Sequence, residues 1–216
     1  MKFLLPLSLL LCVGFQSLDA QLQIGLRAGA VHSWPDYGDD FEIPENAETS
    51  VTNFGAALDV YAPLGGGWFL SASPGYQQRG MACIPTIDAP PPFDPNTDSK
   101  WKISYVDLPL RVGKRWGLGN SPWEIRAAAG PSISYALSAR ARFTDWWGDQ
   151  DWDIRNGETV HNWDYGISAG AGIGYRLPNW TLQLQADQYV GLRDVATFTD
   201  SKVRSLGLSL GVLRTW

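Results

Sequence analysis

The sequence contains few of the residues on which disulfide frameworks depend. Its 216 residues include two cysteines and two histidines. Cys12 lies in an apolar segment near the N-terminus, so only Cys83 would remain if that segment were removed. A single cysteine cannot form an internal disulfide, which excludes a disulfide-stabilised fold. We interpret Cys83 as a thiol in a surface loop, with an intermolecular bridge as the alternative.

Long apolar runs are also missing after residue 20. Nowhere do about 18 apolar residues follow one another, which excludes a transmembrane helix on length. The first segment has the pattern of a secretory signal peptide, with a positive start at Lys2, mostly apolar residues 3–15 and a plausible cleavage region at 17–20. We therefore predict a signal peptide over residues 1–20 and one folded domain over 21–216. Any membrane insertion must then use strands.

The sequence does contain an alternation of apolar and polar residues with a period of two, which is typical of β-strands. Near the C-terminus one face carries Leu206, Leu208, Leu210, Val212 and Trp216, and the other carries Gly207, Ser209, Gly211 and Thr215. The alternation recurs over residues 22–31, 54–61, 68–79, 101–115, 123–142, 167–176 and 181–189. Eight such segments, an even number, are typical of bacterial outer-membrane barrels.

The connections between these segments alternate in length. Three are short turns, at residues 63–67, 116–122 and 178–179. The four long ones cover residues 32–52, 80–100, 143–161 and 192–202. Short turns face the periplasm and long loops face the exterior in this class of protein, which places both termini in the periplasm. The prediction is an all-β, eight-stranded, antiparallel up-and-down transmembrane β-barrel, monomeric and located in the cell outer membrane.

A soluble eight-stranded barrel is the structural alternative, and the polarity of the two faces argues against it. Soluble barrels place the apolar face inside. Here the polar face collects glycine, serine, glutamine and charge, which cannot make a water-excluding core, so lipid is the expected partner of the apolar face. Tryptophans near the predicted strand ends fit an aromatic girdle: Trp68, Trp101, Trp123, Trp163, Trp180 and Trp216.

Charge separates with this topology. The four long connections contain sixteen acids and four bases, a net charge of −12, whereas the strands and turns carry five acids and twelve bases, a net of +7. A charge facing lipid at mid-depth costs about 2 to 4 kcal/mol for a base, so we expect the strand charges to face the lumen and pair there. The predicted lumen network consists of Arg27, Asp59, Arg79, Asp107, Arg111, Glu124, Arg126, Asp164, Arg176 and Asp187. Arg140 and Arg142 are assigned to the same inward face.

Seven short motifs occur in an order that resembles the outer-membrane β-barrel domain family typified by PorT. They are residues 24–29 (IGLRAG), 55–63, 73–80 (SPGYQQRG), 105–110 (YVDLPL), 129–132 (AGPS), 164–166 (DYG) and 191–192. In the family's Tyr-x-Asp/Glu-x-Pro strand the third position is acidic, and Asp107 matches it. The resemblance implies an eight-stranded barrel of Bacteroidetes-type outer membranes, and PorT itself is associated with protein secretion and gliding.

An outer-membrane acylase is a distant alternative, because such enzymes need a histidine-containing dyad or triad in the barrel wall. His32 and His161 belong to strands that should stand well apart. Ser168, the nearest nucleophile candidate to His161, should lie roughly 20 Å away at about 3.3 Å per residue. We therefore predict that the chain is not an enzyme and that it has no catalytic residues.

The third long connection contains acids at alternate positions, which could supply oxygen ligands to calcium. The candidate ligands are Asp145, Asp149, Asp151 and Asp153. The segment lacks the glycine of an EF-hand loop, so we expect weak calcium binding at most, no other cofactor, and a solvated acidic surface as the alternative. The acidic exterior also argues against nucleic acid as a partner.

Two functions from different classes remain. In the first, the barrel is an anchored scaffold whose loops bind an envelope protein or a surface glycan, or that serves an envelope or secretion complex. In the second, it is a small passive or gated pore. An eight-stranded barrel has an interior only wide enough for side chains, which favours the scaffold.

Overall fold

The computed structural model describes residues 22–36, 50–83, 98–145, 148–155, 159–195, 197 and 201–216. The predicted signal peptide lies outside these residues. Over these residues the fold is all-β, with ten strands: β1 (Gln23–Asp36), β2 (Val51–Gly65), β3 (Trp68–Ala72), β4 (Gly75–Cys83), β5 (Asp98–Gly117), β6 (Trp123–Asp145), β7 (Gly148–Asp153), β8 (Trp163–Arg176), β9 (Trp180–Gly191) and β10 (Lys202–Thr215). Within the described ranges no helix combines the length and the hydropathy that crossing a bilayer requires.

The strands close into an antiparallel ring of eight wall positions, which confirms the predicted barrel. β3 and β4 together fill the third position, because the chain leaves the ladder at Ser73 and Pro74 between them. β7 stands outside the ring and extends β6 as a hairpin. β1 and β10 close the barrel over fourteen paired residues, from Gln23 opposite Thr215 to Asp36 opposite Lys202.

The barrel has two distinct ends. The short connections lie at one end together with Leu22 and Trp216, and we call this the turn end; the opposite end is the loop end. At the turn between β2 and β3, Gly65, Gly66 and Gly67 adopt φ values of 92°, 59° and 82°. Glycine takes this left-handed backbone without steric cost, which explains the triplet at this position.

The outer surface carries a continuous apolar belt, as expected of a wall that faces lipid. Leu26 and Leu210 are 68% and 69% exposed. Five of the six predicted girdle tryptophans are also exposed, namely Trp68, Trp123, Trp163, Trp180 and Trp216. The prediction for Trp101 was wrong: it is only 8% exposed and belongs to a buried apolar cluster.

A bulge near the loop end shifts the side-chain alternation of β6. The β5–β6 register pairs Tyr105 with Ala136 but Ser104 with Ser138, so Leu137 is an extra residue on β6. Such a bulge shifts the side-chain alternation by one position. Beyond it β6 buries Ala139 and Ala141 and exposes Arg140 and Arg142, whereas β5 keeps its alternation, with Ile103 buried and Lys102 exposed.

This shift corrects the sequence prediction for two arginines. Arg140 and Arg142 do not face the lumen but are exposed on the outer face of β6. The strands are also longer than predicted at the loop end, since β1 continues to Asp36 and β6 to Asp145. Above the lipid-facing belt the barrel wall therefore has the apolar-inside pattern of a water-exposed barrel.

Candidate functional site in the barrel interior

The barrel interior is filled by charged side chains arranged in three layers. All ten residues of the predicted lumen network form ion pairs with one another, at nitrogen–oxygen distances of 3.7 Å or less. They come from strands all round the wall, and glycine and serine beside them leave the width that long arginine side chains need. The interior therefore contains the largest group of interacting charged side chains in the described part of the chain.

The central layer is electrically balanced. Arg27 Nε donates to Asp59 Oδ1 over 2.9 Å, and the same guanidinium pairs with Asp187. Arg111 Nη1 reaches the other oxygen of Asp187 over 2.5 Å. Gln183 Nε2 donates to Asp59 Oδ2 over 2.9 Å, so both aspartates are held on two sides. Buried charges are tolerated when each has a counter-ion, and here two arginines pair with two aspartates.

The layer on the loop side has one base for two acids. Arg79 pairs with Asp107 over 2.5 Å and with Asp164 over 3.3 Å. The Arg79 side chain is only 1% exposed. Asp107 Oδ1 and Asp164 Oδ1 are buried and find no hydrogen-bond partner among the described residues. Arg79 is therefore the sole counter-ion of two buried carboxylates in this part of the structure.

The layer on the turn side has the opposite balance. Glu124 is buried and pairs with Arg126 beside it on the same strand. Arg115 and Arg176 lie 3.9 Å and 3.7 Å from Glu124 Oε2, with their outer parts exposed. Gln23 Oε1 accepts a 3.0 Å hydrogen bond from Arg126 Nη2. This layer has an excess of positive charge, and it lies at the turn end, where the arginine side chains reach solvent.

Apolar clusters lie at both ends of the charged layers. The cluster at the turn end consists of Tyr61, Phe69 and Leu213. The cluster at the loop end is larger and consists of Met81, Trp101, Ile103, Tyr105, Ala136, Ala139, Ala141, Ile154, Val160, Val195 and Val203. Between the central and loop-side layers a cavity of about 70 Å³ remains, lined by Arg27, Arg79, Arg111, Asp107 and Asp187 among others. That volume suits a few water molecules and not a continuous channel.

One close approach explains a glycine in the wall of β8. A Cβ atom added at Gly170 would lie 2.3 Å from Asp187 Oδ1, an oxygen that also accepts from Arg111 and Gln185. Any side chain at this position would push Asp187 out of its ion pairs. Glycine is expected on the inward face, but nothing in the sequence marks Gly170 as the residue that makes room for the central layer.

Several neutral residues that complete the network were missed by the sequence reading. Ser168 Oγ accepts from Arg111 Nε over 3.0 Å, and the Tyr189 hydroxyl donates to Asp164 Oδ2 over 2.7 Å. Their only sequence signal was their place on the inward face. His161 does not meet Ser168: its Nδ1 lies 3.2 Å from Arg193 Nη2. The base and nucleophile considered for an acylase thus have different partners.

The acids proposed as calcium ligands lie on and beside β7. The side chains of Asp145 and Asp149 lie outside the described part of the structure. Asp151 Oδ1 accepts from Arg142 Nε over 2.9 Å, and this hydrogen bond lowers the pKa of the exposed Asp151 carboxyl. Asp153 Oδ1 accepts from the backbone N–H of Arg155 over 3.0 Å. The described residues contain no group of three candidate metal ligands, so calcium binding stays a prediction.

Comparison with known proteins agrees with the fold. Residues 16–197 match the family model of the outer membrane protein beta-barrel domain. No curated protein sequence matches the chain.

Solved structures of outer-membrane barrels are similar at low sequence identity. Neisserial surface protein A is 17% identical with a TM-score of 0.48, and the match covers 89% of this chain and 97% of that one. The attachment invasion locus protein Ail of Yersinia pestis is 13% identical with a TM-score of 0.42, covering 89% and 99%. The outer membrane protein AlkL is 12% identical with a TM-score of 0.48, covering 93% and 92%.

Proposed function

This chain belongs to the outer membrane protein beta-barrel domain family, and from that premise we propose that it is an anchored scaffold whose loop end binds a partner outside the cell. The barrel holds the chain in the outer membrane, and the loops present the recognition surface. The proposed partner is an envelope protein or a surface glycan. The resemblance to PorT-like domains supports membership of a secretion or other envelope complex.

The packed interior is the observation that carries this proposal. Three layers of ion pairs fill the lumen, and apolar clusters lie at both of its ends. Moving a solute through the barrel would require buried pairs such as Arg79 with Asp107 to separate, which leaves charges uncompensated in a low-dielectric space. A barrel built in this way is better suited to holding a shape than to conducting.

The orientation follows from the two ends of the barrel. The short connections and both described termini share the turn end, and the long connections leave from the loop end. In outer-membrane barrels short turns face the periplasm. We therefore place Leu22 and Trp216 in the periplasm and β7 outside the cell.

The proposed role is not catalytic. Ser168 is committed to Arg111 in the buried network, and His161 lies beside Arg193. His32 Nδ1 lies 3.0 Å from Thr52 Oγ1 on the outer face of the wall. Ser168 therefore has neither histidine as its partner, and His32, which contacts the Thr52 hydroxyl, forms no ion pair with a described carboxylate that would orient it as a base. This arrangement supports a binding function.

Site-specific photo-crosslinking in native outer membranes tests the scaffold proposal. We would place the photoreactive residue at exposed Asp153 on β7 and, as the matched control, at exposed Leu118 beside the turn between β5 and β6. The expected result is a discrete adduct from position 153 and none from position 118. Adducts only from 118 would move the partner to the periplasm and contradict loop-end binding. Adducts from neither position would contradict the scaffold role.

A further inference from the structure

The outer face of the wall changes from apolar to basic at the loop end. On β5 the exposed residues beyond Val106 are Lys102 and Lys100, and on β6 those beyond Leu137 are Arg140 and Arg142. On β10 exposed Leu206 is preceded by exposed Arg204 and Lys202. We call these six bases the basic collar: Lys100, Lys102, Arg140, Arg142, Lys202 and Arg204.

The strand register brings bases of the collar directly opposite one another. Lys102 pairs with Arg140 and Lys100 pairs with Arg142 across the β5–β6 ladder. Like charges in such positions repel. Asp151 and Asp36 are the counter-ions of Arg142 and Arg204, and Asp153 lies opposite Arg140 across the β6–β7 ladder. Lys100 and Lys102 form no ion pair within the described ranges. An external anion between the two strands would relieve this repulsion.

The bases of the collar nearest the apolar belt lie within side-chain reach of the lipid headgroups. Val106 and Tyr135 lie opposite each other as outward residues of the apolar belt, and Tyr135 packs against Trp163 with ring centres 4.8 Å apart and ring planes tilted by 60°. Aromatic pairs of this kind mark the membrane interface. Lys102 is four residues beyond Val106, which at about 3.3 Å per residue and a strand tilt of about 40° puts it about 10 Å above the belt. Headgroups occupy roughly the 5 to 8 Å outside the hydrocarbon core, within reach of a lysine or arginine side chain.

We propose that the basic collar binds the phosphate groups of anionic lipid headgroups. Arginine holds a phosphate through two parallel N–H donors, and lysine adds a compact point charge, so the mixed pairs of the collar suit a phosphate between strands. The four long connections carry a net charge of −12, which repels soluble polyanions approaching from outside. A phosphate that arrives laterally within the membrane avoids that repulsion. With the orientation proposed above, the collar meets the outer leaflet.

Lipid retention by the purified, full-length barrel tests this site. The barrel would be reconstituted in nanodiscs of zwitterionic phosphatidylcholine doped with diphosphoryl lipid A, and retained lipid would be counted by native mass spectrometry. Dephosphorylated lipid A and inorganic phosphate form parallel arms. We expect retention of diphosphoryl lipid A, at least tenfold weaker retention of the dephosphorylated form, and no competition by millimolar inorganic phosphate. Equal retention of the two glycolipids, or full competition by free phosphate, would overturn the proposal.

Charge-removal variants locate the site. The test variant carries Lys102→Gln and Arg140→Gln, and the matched control carries Lys114→Gln and Arg214→Gln at the turn end, where the two bases lie over Trp68 and Trp216. The test variant removes a repulsive pair, so we expect it to fold, with heat-modifiable gel mobility as the check. Lipid A retention should fall at least tenfold in the test variant alone. An unchanged test variant, or an equal loss in the control, would overturn the assignment to the collar. If the test variant does not fold, Lys102→Gln alone replaces it with the same criteria.

Discussion

The guanidinium carbon of Arg79 lies 3.7 Å from the centre of the Tyr189 ring. This cation–π contact adds to the two ion pairs of Arg79, and the hydroxyl of Tyr189 donates in turn to Asp164. Tyr189 therefore contacts Arg79 through the face of its ring and Asp164 through its hydroxyl. Because these groups share partners, we expect substitutions among them to be non-additive.

Arg79→Gln should be one of the most destabilising single substitutions in the barrel. It leaves Asp107 and Asp164 buried without a counter-ion, a situation that typically costs about 3 to 5 kcal/mol. The free energy of unfolding, measured by urea denaturation in lipid vesicles, should fall by that order. Adding Asp107→Asn and Asp164→Asn should recover a large part of the loss. A loss that the added substitutions do not reduce would show that packing, and not charge, makes Arg79 important.

Asp164→Asn should lower the free energy of unfolding much less than Arg79→Gln does, because one arginine faces two carboxylates in this layer. The variant keeps the pair between Arg79 and Asp107 and balances one base with one acid. We expect a change of about 1 kcal/mol or less in the same denaturation assay, within the usual range for a hydrogen bond altered without removing its partner. A loss as large as that of Arg79→Gln would contradict the charge balance assigned to the layer.

Gly170→Ala should disturb the central layer from the wall. The new Cβ would lie 2.3 Å from Asp187 Oδ1, which Arg111 and Gln185 hold in place. We expect a loss of about 1 to 3 kcal/mol, as for overpacked cores. Gly207→Ala is the matched control on the inward face of β10, because its nearest heavy atom would be 3.7 Å away. Equal effects of the two variants would show that strand propensity, and not the contact with Asp187, sets the cost.

The alternation of polarity was sufficient to predict the barrel and its charged interior, because a wall between lipid and lumen imposes a period of two on every strand. It did not predict which arginine meets which aspartate. Arg27 and Asp187 are far apart in the sequence, and their pairing depends on how β1, β10 and β9 line up across the closure. Arg140 was assigned to the wrong face, because no glycine or proline marks the bulge at Leu137. Trp101 keeps the inward phase of β5, and its place near a strand end was mistaken for a girdle position.

The purified barrel should show little steady conductance in a planar bilayer. The ion pairs of Arg27, Arg79 and Arg126 come from three successive layers, and each would have to open at the same time to admit a water path. Single-channel recording in symmetric salt is the measurement, with protein-free bilayers exposed to the same detergent as the control. Large, stable steps would contradict the closed interior and favour the pore alternative.

Removal of residues 208–216 should abolish assembly. This segment of β10 pairs with β1 on one side and with β9 on the other, so its loss leaves two open edges in lipid. Each unsatisfied backbone group in the hydrocarbon region costs several kcal/mol. The truncated chain should not show heat-modifiable mobility or protease resistance after refolding into vesicles, while the full-length chain treated in parallel should. A protease-resistant barrel from the truncated chain would contradict the observed closure.

The acids of the third connection should bind calcium weakly, and Arg142 should limit that binding. Arg142 holds Asp151 in an exposed ion pair, so a divalent cation must compete with the guanidinium for this carboxylate. We expect a dissociation constant of about 10⁻⁴ to 10⁻³ M at best. The measurement is the tryptophan fluorescence of the solubilised barrel during a calcium titration. Trp152 can report binding because it lies between Asp151 and Asp153 in the sequence. Arg142→Gln should strengthen the response, and a variant with Asp149→Ala, Asp151→Ala and Asp153→Ala should remove it. An unchanged spectrum through millimolar calcium in both the natural chain and Arg142→Gln would show that these acids form a solvated surface neutralised by the neighbouring arginines.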